Sequence, residues 1–307
     1  MANDIQKEEG KELTRILVDG DANIDNGYTP KIPDTSQFYC DAMNDGNINM
    51  VLNDVKPELI VLMAFADYGK STFVGSLYHY LLNKGTIEGY DLYDSDTFAG
   101  FERRFYLRNI KNDPNAKSRT LRTDENDEYM MTLTFYNKTL KEKKQLIISD
   151  RPGETYRKYV DTKAKINEDQ SLPRAQRVII MVDTAQVNNW DVLRGRFKQL
   201  FNGLKEYHKM PIDATYTLLF NKIDLVRNNE SMQKAYNATR QEIFDFFCEE
   251  IGLVAADLDC REIDSKHALQ DDAFKTFVKD LVRKDDSSKS EEQKLKKMLD
   301  WVGEKIK

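Results

Sequence analysis

An apolar run, Leu59 to Met63, leads into Ala64-Phe65-Ala66-Asp67-Tyr68-Gly69-Lys70-Ser71-Thr72. This is close to G-x-x-x-x-G-K-[ST], in which a strand turns into a helix and successive backbone N–H groups form a concavity for phosphate. Residues Ala66, Asp67, Tyr68, Gly69, Lys70, Ser71 and Thr72 are the candidate cradle. In it Lys70 would reach the β- and γ-phosphates, and Ser71 would offer its hydroxyl to Mg²⁺. Ala64 stands where the pattern has glycine, and its methyl is costly if that position needs a positive φ or very close approach to phosphate. Asp67 reads first as a turn-former and second as a ligand for a monovalent cation beside the phosphates.

Three further signals follow in order, each at the carboxyl end of an expected strand, where open α/β sheets place their ligands. In Asp150-Arg151-Pro152-Gly153-Glu154, the aspartate can hold Mg²⁺ through water, and the Gly153 N–H can meet a γ-phosphate. The bland alternative is a strand ending in a Pro-Gly turn. Asn221-Lys222-Ile223-Asp224 is more specific. The Asp224 carboxylate can accept from guanine N1–H and the exocyclic amine together, a pairing that adenine lacks and that is worth on the order of 1–3 kcal/mol. Lys222 would pack over the base while Asn221 ties it to the phosphate loop. In Asp264-Ser265-Lys266, an N–H near Ser265 would contact guanine O6. GTP and GDP are the ligands these residues select, with Mg²⁺ held by Ser71 and Asp150.

The elements that must position these groups are legible as apolar runs alternating with amphipathic stretches, a βαβ pattern. Strands are expected at 59–64, 129–136, 145–150, 177–183, 215–220 and 259–264. Helices are expected at 70–83, 155–165, 189–208, 231–251, 271–282 and 291–306. The fold class is α/β: a P-loop G domain with a mainly parallel six-stranded sheet, helices on both faces and a long insertion. Residues 1–57 are polar and turn-rich and read as an extension, with one short helix near 7–17. The G domain spans 58–282, and 283–307 form a hinge and terminal helix whose Trp301 suits docking to a partner. Phe244, Phe246, Phe247, Tyr78, Tyr80 and Trp190 are expected in the core.

With these motifs in hand, residues 58 to about 282 resemble the translation-factor-related (TRAFAC) class of P-loop GTPases. The resemblance rests on Gly69-Lys70-Ser71-Thr72, Asp150-x-x-Gly153, Asn221-Lys222-x-Asp224 and Ser265-Lys266. Tyr68 to Leu82, followed by Ser95-Asp96-Thr97-Phe98-Ala99-Gly100-Phe101-Glu102, is similar to the bacterial double-GTPase group, whose members are associated with multi-protein conflict or defence systems. The resemblance implies a GTP/GDP switch that reports to a protein effector or activating partner. Glu154 stands where many members place a water-positioning Gln or His. A carboxylate there cannot donate to the γ-phosphate and repels it, which implies slow hydrolysis or another catalytic group.

The insertion, 84–128, is acidic at first (Glu88, Asp91, Asp94, Asp96) and then basic (Arg103, Arg104, Arg108, Lys111, Lys117, Arg119, Arg122). It ends in Arg119-Thr120-Leu121-Arg122-Thr123-Asp124. A switch threonine there would close over Mg²⁺ and the γ-phosphate, and Thr123 is better spaced to the following strand than Thr120. Arg119 or Arg122 would then serve in cis as an arginine finger, as in heterotrimeric G-protein α subunits, an effect of roughly 10³–10⁵ in rate. The alternative for each is a solvated basic loop. Dimerisation across the nucleotide is another way to supply the missing group.

Cys40, Cys248 and Cys260 show no C-x-x-C spacing and have only His79, His208 and His267 as co-ligands, which argues against zinc and disulfide frameworks. No signal-peptide core opens the chain and no segment approaches roughly 18 apolar residues, so a cytoplasmic protein without a membrane span is expected. A net charge of -6 argues against a general nucleic-acid binder. Competing classes are a GTP- or GDP-holding scaffold with little catalysis and an ATP-dependent switch; the latter requires Asn221-Lys222-x-Asp224 to be coincidental.

Overall fold

A computed structural model describes residues 41–44, 57–106, 129–211 and 213–283. Eight strands form one sheet: β1 (Glu58–Met63), β2 (Thr86–Ile87), β3 (Tyr90–Asp94), β4 (Met130–Asn137), β5 (Glu142–Ser149), β6 (Arg177–Asp183), β7 (Thr215–Asn221) and β8 (Leu258–Ile263). Their order is β2-β3-β4-β5-β1-β6-β7-β8. The run β5-β1-β6-β7-β8 is parallel, while β4, β3 and β2 continue it antiparallel. Every residue of β6 is buried, which is why this strand reads as a continuous apolar run and not as an alternation.

The helices are α1 (Lys70–Lys84), α2 (Phe98–Tyr106), α3 (Gly153–Asp161), α4 (Trp190–Glu206), α5 (Ile223–Arg227), α6 (Glu230–Ile251) and α7 (Asp272–Val282). The chain crosses from β1 to β5 in one direction, and from β5 to β6, β7 and β8 in the other. Right-handed crossovers therefore put α1 on one face and α3, α4 and α6 on the opposite face. Packing agrees with this division. Phe73 of α1 meets Phe274 and Phe277 of α7 at 5.7 and 5.9 Å, while Phe197 of α4 meets Phe247 of α6 at 5.1 Å. Of the aromatics assigned to the core, Tyr78, Tyr80, Trp190, Phe246 and Phe247 are buried and Phe244 is partly so.

The six expected strands all form, with ends shifted by a few residues, and the insertion adds two more. The additional pair is a hairpin in which Ile87 faces Tyr90 across Glu88 and Gly89, both at positive φ (52° and 83°), the twist such a two-residue turn requires. It is too short and too charged to stand out as an apolar run. The helix expected at 155–165 instead starts at Gly153 and stops at Asp161, because Thr162 is extended (φ -141°), and Lys163–Glu168 continue as 3-10 turns. Met43 pairs with Met130, so part of the stretch before residue 57 lies against β4. Among the described residues no helix is long and apolar enough to cross a membrane.

Candidate nucleotide-binding site

The phosphate loop joins the carboxyl end of β1 to α1 and curls around its own lysine. Lys70 is buried, and its Nζ donates to the carbonyls of Ala64 and Phe65, both at 3.1 Å. Ala64 does not adopt a positive φ, so the missing glycine costs no backbone strain there. The left-handed positions are Asp67 (φ 65°) and Gly69 (φ 89°). At Gly69 a Cβ would stand 2.4 Å from Asn221 Nδ2, so this glycine is required both by conformation and by contact. The Tyr68 side chain is buried beneath the loop, and burial, with the Asp183 charge adding, pushes its hydroxyl well above the ordinary tyrosine range.

The carboxyl ends of β7 and β8 lie beside this loop. Asn221 Nδ2 donates to the Tyr68 carbonyl at 3.0 Å, and its Oδ1 accepts from the Ser265 N–H at 3.3 Å. One buried amide thus joins the loop at 64–72 to the turn at 264–267. Lys222, itself left-handed at φ 63°, sends Nζ to the Asp67 carbonyl at 2.6 Å and to Asp183 Oδ2 at 2.7 Å. Its stem is thereby laid along the phosphate loop. Asp224, in the first turn of α5, is half-buried, with carboxylate oxygens within 4.8 Å of ligand atoms of Asp264 and His267. Asp264 accepts from the Lys266 and His267 N–H groups, at 2.9 and 3.0 Å, which closes the turn that carries Ser265 and Lys266.

The third corner is the carboxyl end of β5. Asp150 is fully buried, and its Oδ1 lies 3.2 Å from Ser71 Oγ. A hydroxyl and a carboxylate oxygen converging beside a phosphate loop form an all-oxygen donor set, which fits Mg²⁺. Gly153 opens α3 against the phosphate loop. A Cβ there would meet Ala66 N at 2.1 Å and the Phe65 carbonyl carbon at 2.3 Å, so only glycine allows this approach. Glu154 follows, half-buried, and lines a cavity of about 340 Å³ with Asp67, Tyr68, Arg157, Gln186 and Arg196.

A family profile described as Double-GTPase 2 matches residues 59–284. The chain belongs to the Double-GTPase 2 family. It is a P-loop protein of the TRAFAC class, and its family is one of GTP-binding proteins. Among solved structures, this Double-GTPase 2 chain is similar to a bacterial selenocysteine-specific elongation factor, EF-Sec, at 13% identity over 74% of this chain and 29% of that one, with a TM-score of 0.35. It is similar to translation elongation factor SelB from Methanococcus maripaludis, solved with the GTP analogue GppNHp, at 10% identity over 75% of this chain and 34% of that one, with a TM-score of 0.35. It is also similar to the GTPase-like domain of Saccharomyces cerevisiae Ski7 bound to GTP, at 13% identity over 74% and 49%, with a TM-score of 0.43. The chain spans less than half the length of each of these structures. No curated protein matches it.

Three functional candidates of this Double-GTPase 2 chain escaped sequence reasoning. Asp183, buried at the end of β6, clamps Lys222, and the only hint of it was a strand ending in aspartate like β5. Arg104 of α2 places Nε 3.0 Å from Asp150 Oδ2 although 46 residues separate them. In sequence it was one of several basic residues. Arg151, inside the Asp150-x-x-Gly153 motif, is buried with Asp169 (Nη1 to Oδ2, 2.6 Å), and it also donates to the hydroxyls of Tyr159 and Tyr129, at 2.8 and 2.9 Å. Burial opposes its charge, and Asp169 with the surrounding tyrosines more than restores it. Arg119, Arg122 and Thr123 lie outside the described residues, as do the helices expected at 7–17 and 291–306 and Trp301.

Proposed function

We propose that the chain binds GTP and GDP with Mg²⁺ and hydrolyses GTP to GDP and phosphate, reporting its nucleotide state to a protein partner. The observation that carries this reading is the Asn221 amide, which links the phosphate loop at Tyr68 to the turn at Ser265 with Asp224 three residues on. In the reading, the Asp224 carboxylate accepts from guanine N1–H and the exocyclic amine, Lys222 covers the base, and the turn at Ser265 and Lys266 faces O6. The N–H groups of Ala66 to Thr72 hold the phosphates, and Lys70 turns from the Ala64 and Phe65 carbonyls to the β- and γ-oxygens. Ser71 and Asp150 would hold Mg²⁺, which when bound would offset charge developing on the transferred group. The Gly153 N–H meets the γ-phosphate, so loss of that phosphate frees the start of α3.

Thr123 and either Arg119 or Arg122 are proposed to close over the γ-phosphate from the insertion. Glu154, an acceptor beside the loop, favours slow turnover unless a partner or a second copy supplies a donor. It also supports the second reading, a GTP/GDP-binding scaffold with little catalysis. The proposed organisation is an extension at 1–57, a G domain at 58–282 and a hinge with a partner helix at 283–307. The proposed setting is a cytoplasmic multi-protein complex of the bacterial defence type, without nucleic acid as ligand.

Calorimetric titration of wild type and Asp224→Ala with GDP, a non-hydrolysable GTP analogue and ATP, each with Mg²⁺, tests the ligand. Guanine-selective binding that Asp224→Ala removes is expected, and preferential ATP binding would sink the reading. Multiple-turnover phosphate release above a Lys70→Ala control decides between enzyme and scaffold.

A further inference from the structure

We propose that Arg104 is a cation built into the metal site: it holds the Asp150 oxygen that faces away from Ser71, competes with the metal for the carboxylate, and sets how much Mg²⁺ the site requires. This rests on the Mg²⁺-nucleotide reading above. Asp150 is fully buried; its Oδ1 accepts from Ser71 Oγ at 3.2 Å and its Oδ2 from Arg104 Nε at 3.0 Å. Arg104 is 3% exposed, and its Nη1 donates to the Gly100 carbonyl at 3.1 Å, so the guanidinium is held through Nε and Nη1 together. The direction of approach matters. Ser71 marks the side from which a metal would come, and Arg104 holds the opposite oxygen.

The helix that carries Arg104 is not free to withdraw. Phe101 of α2 stacks on Tyr78 of α1 with centroids 4.9 Å apart, and Tyr78 Oη donates to Glu102 at 2.8 Å. Gly100 abuts Ala42 so closely that a Cβ would lie 2.7 Å from its backbone nitrogen. Arg104 therefore stays beside the carboxylate when a dication arrives. Both cations draw on one negative charge in a site shielded from water, where like-charge repulsion is least screened. The two are antagonistic, and by linkage each weakens the other's hold on Asp150 equally. Without the metal, Arg104 keeps the buried carboxylate compensated, so the site stays formed between nucleotides.

The test follows release of a fluorescent GDP as free Mg²⁺ is varied, in wild type, Arg104→Gln and Arg104→Lys. The Mg²⁺ concentration that half-maximally retains GDP is expected to fall about tenfold in Arg104→Gln, within the range usual for coupled sites, and to stay near wild type in Arg104→Lys. An unchanged or higher Mg²⁺ requirement in Arg104→Gln overturns the inference while leaving the nucleotide reading intact. Failure of folded wild type to bind GDP overturns both. If Arg104→Gln does not fold, wild type alone decides. The Arg104 Nε–H resonance, assigned by its loss in Arg104→Lys, is expected to exchange with water faster once Mg²⁺ is added to the GDP complex. A resonance indifferent to Mg²⁺ overturns the inference.

Discussion

Replacing Gly153 with alanine should separate triphosphate from diphosphate binding. The added Cβ would stand 2.1 Å from Ala66 N and 2.3 Å from the Phe65 carbonyl carbon, both backbone atoms that no rotamer change can move. To reach the 3.4 Å at which ordinary contact begins, α3 must retreat from the phosphate loop by 3.4 - 2.1 = 1.3 Å. Strain of this kind costs about 1–3 kcal/mol when absorbed in place. If α3 retreats instead, the proposed contact of the Gly153 N–H with the γ-phosphate lengthens by more than a hydrogen bond tolerates. Losing that hydrogen bond to a charged oxygen should weaken a GTP analogue roughly 10- to 150-fold, the equivalent of about 1.5–3 kcal/mol, whereas strain absorbed in place lowers stability alike in every nucleotide state. GDP makes no γ-contact, so its affinity should stay within about twofold, the error of treating separate contacts as additive. Calorimetry with both nucleotides at saturating Mg²⁺ measures this, with near-ultraviolet circular dichroism as a check on folding. Equal losses for GDP and the analogue would refute the reasoning, since they would make Gly153 a packing residue of the loop and not a sensor of the γ-phosphate.

Arg151→Met should destabilise the fold by about 3–5 kcal/mol in urea unfolding, because it leaves Asp169 buried opposite an apolar chain. Adding Asp169→Asn should recover part of that loss, and a double mutant no better than the single would mean the pair is not the cause. Burial pushes the Cys260 thiol up to about 11, with the charges of Glu262 and Asp259 adding and that of Arg240 opposing. At pH 8 roughly one Cys260 in a thousand should be thiolate, so alkylation followed by peptide mass spectrometry should be slow and rise about tenfold per pH unit until near pH 11.

The parallel core of the sheet was legible because the middle residues of β1, β6 and β7 are covered on both faces and are mostly apolar. The hairpin of β2 and β3 was not, because Tyr90–Asp94 alternates with charges and is held by its turn and by β4 more than by burial. The end of α3 depended on a single extended residue, Thr162, in a stretch whose periodicity continues past it. Ala64 shows the converse. A pattern mismatch raised a steric question that only the backbone angle at that residue could answer, and the answer was that no positive φ is needed there.

By itself, the sequence determined the chemistry available at each strand end: a lysine and a hydroxyl after β1, a carboxylate after β5, and an amide and a carboxylate after β7. These are local, since a strand, a turn and a helix start are encoded within a dozen neighbouring residues. Only the tertiary structure decided which of these groups pair. Asp150 with Arg104, Lys222 with Asp183, and Asn221 with both Tyr68 and Ser265 are pairs separated by 46, 39, 153 and 44 residues. Buried polar groups must find partners, but which partner is set by sheet order and by which helix covers the carboxyl edge, and no local pattern carries that information.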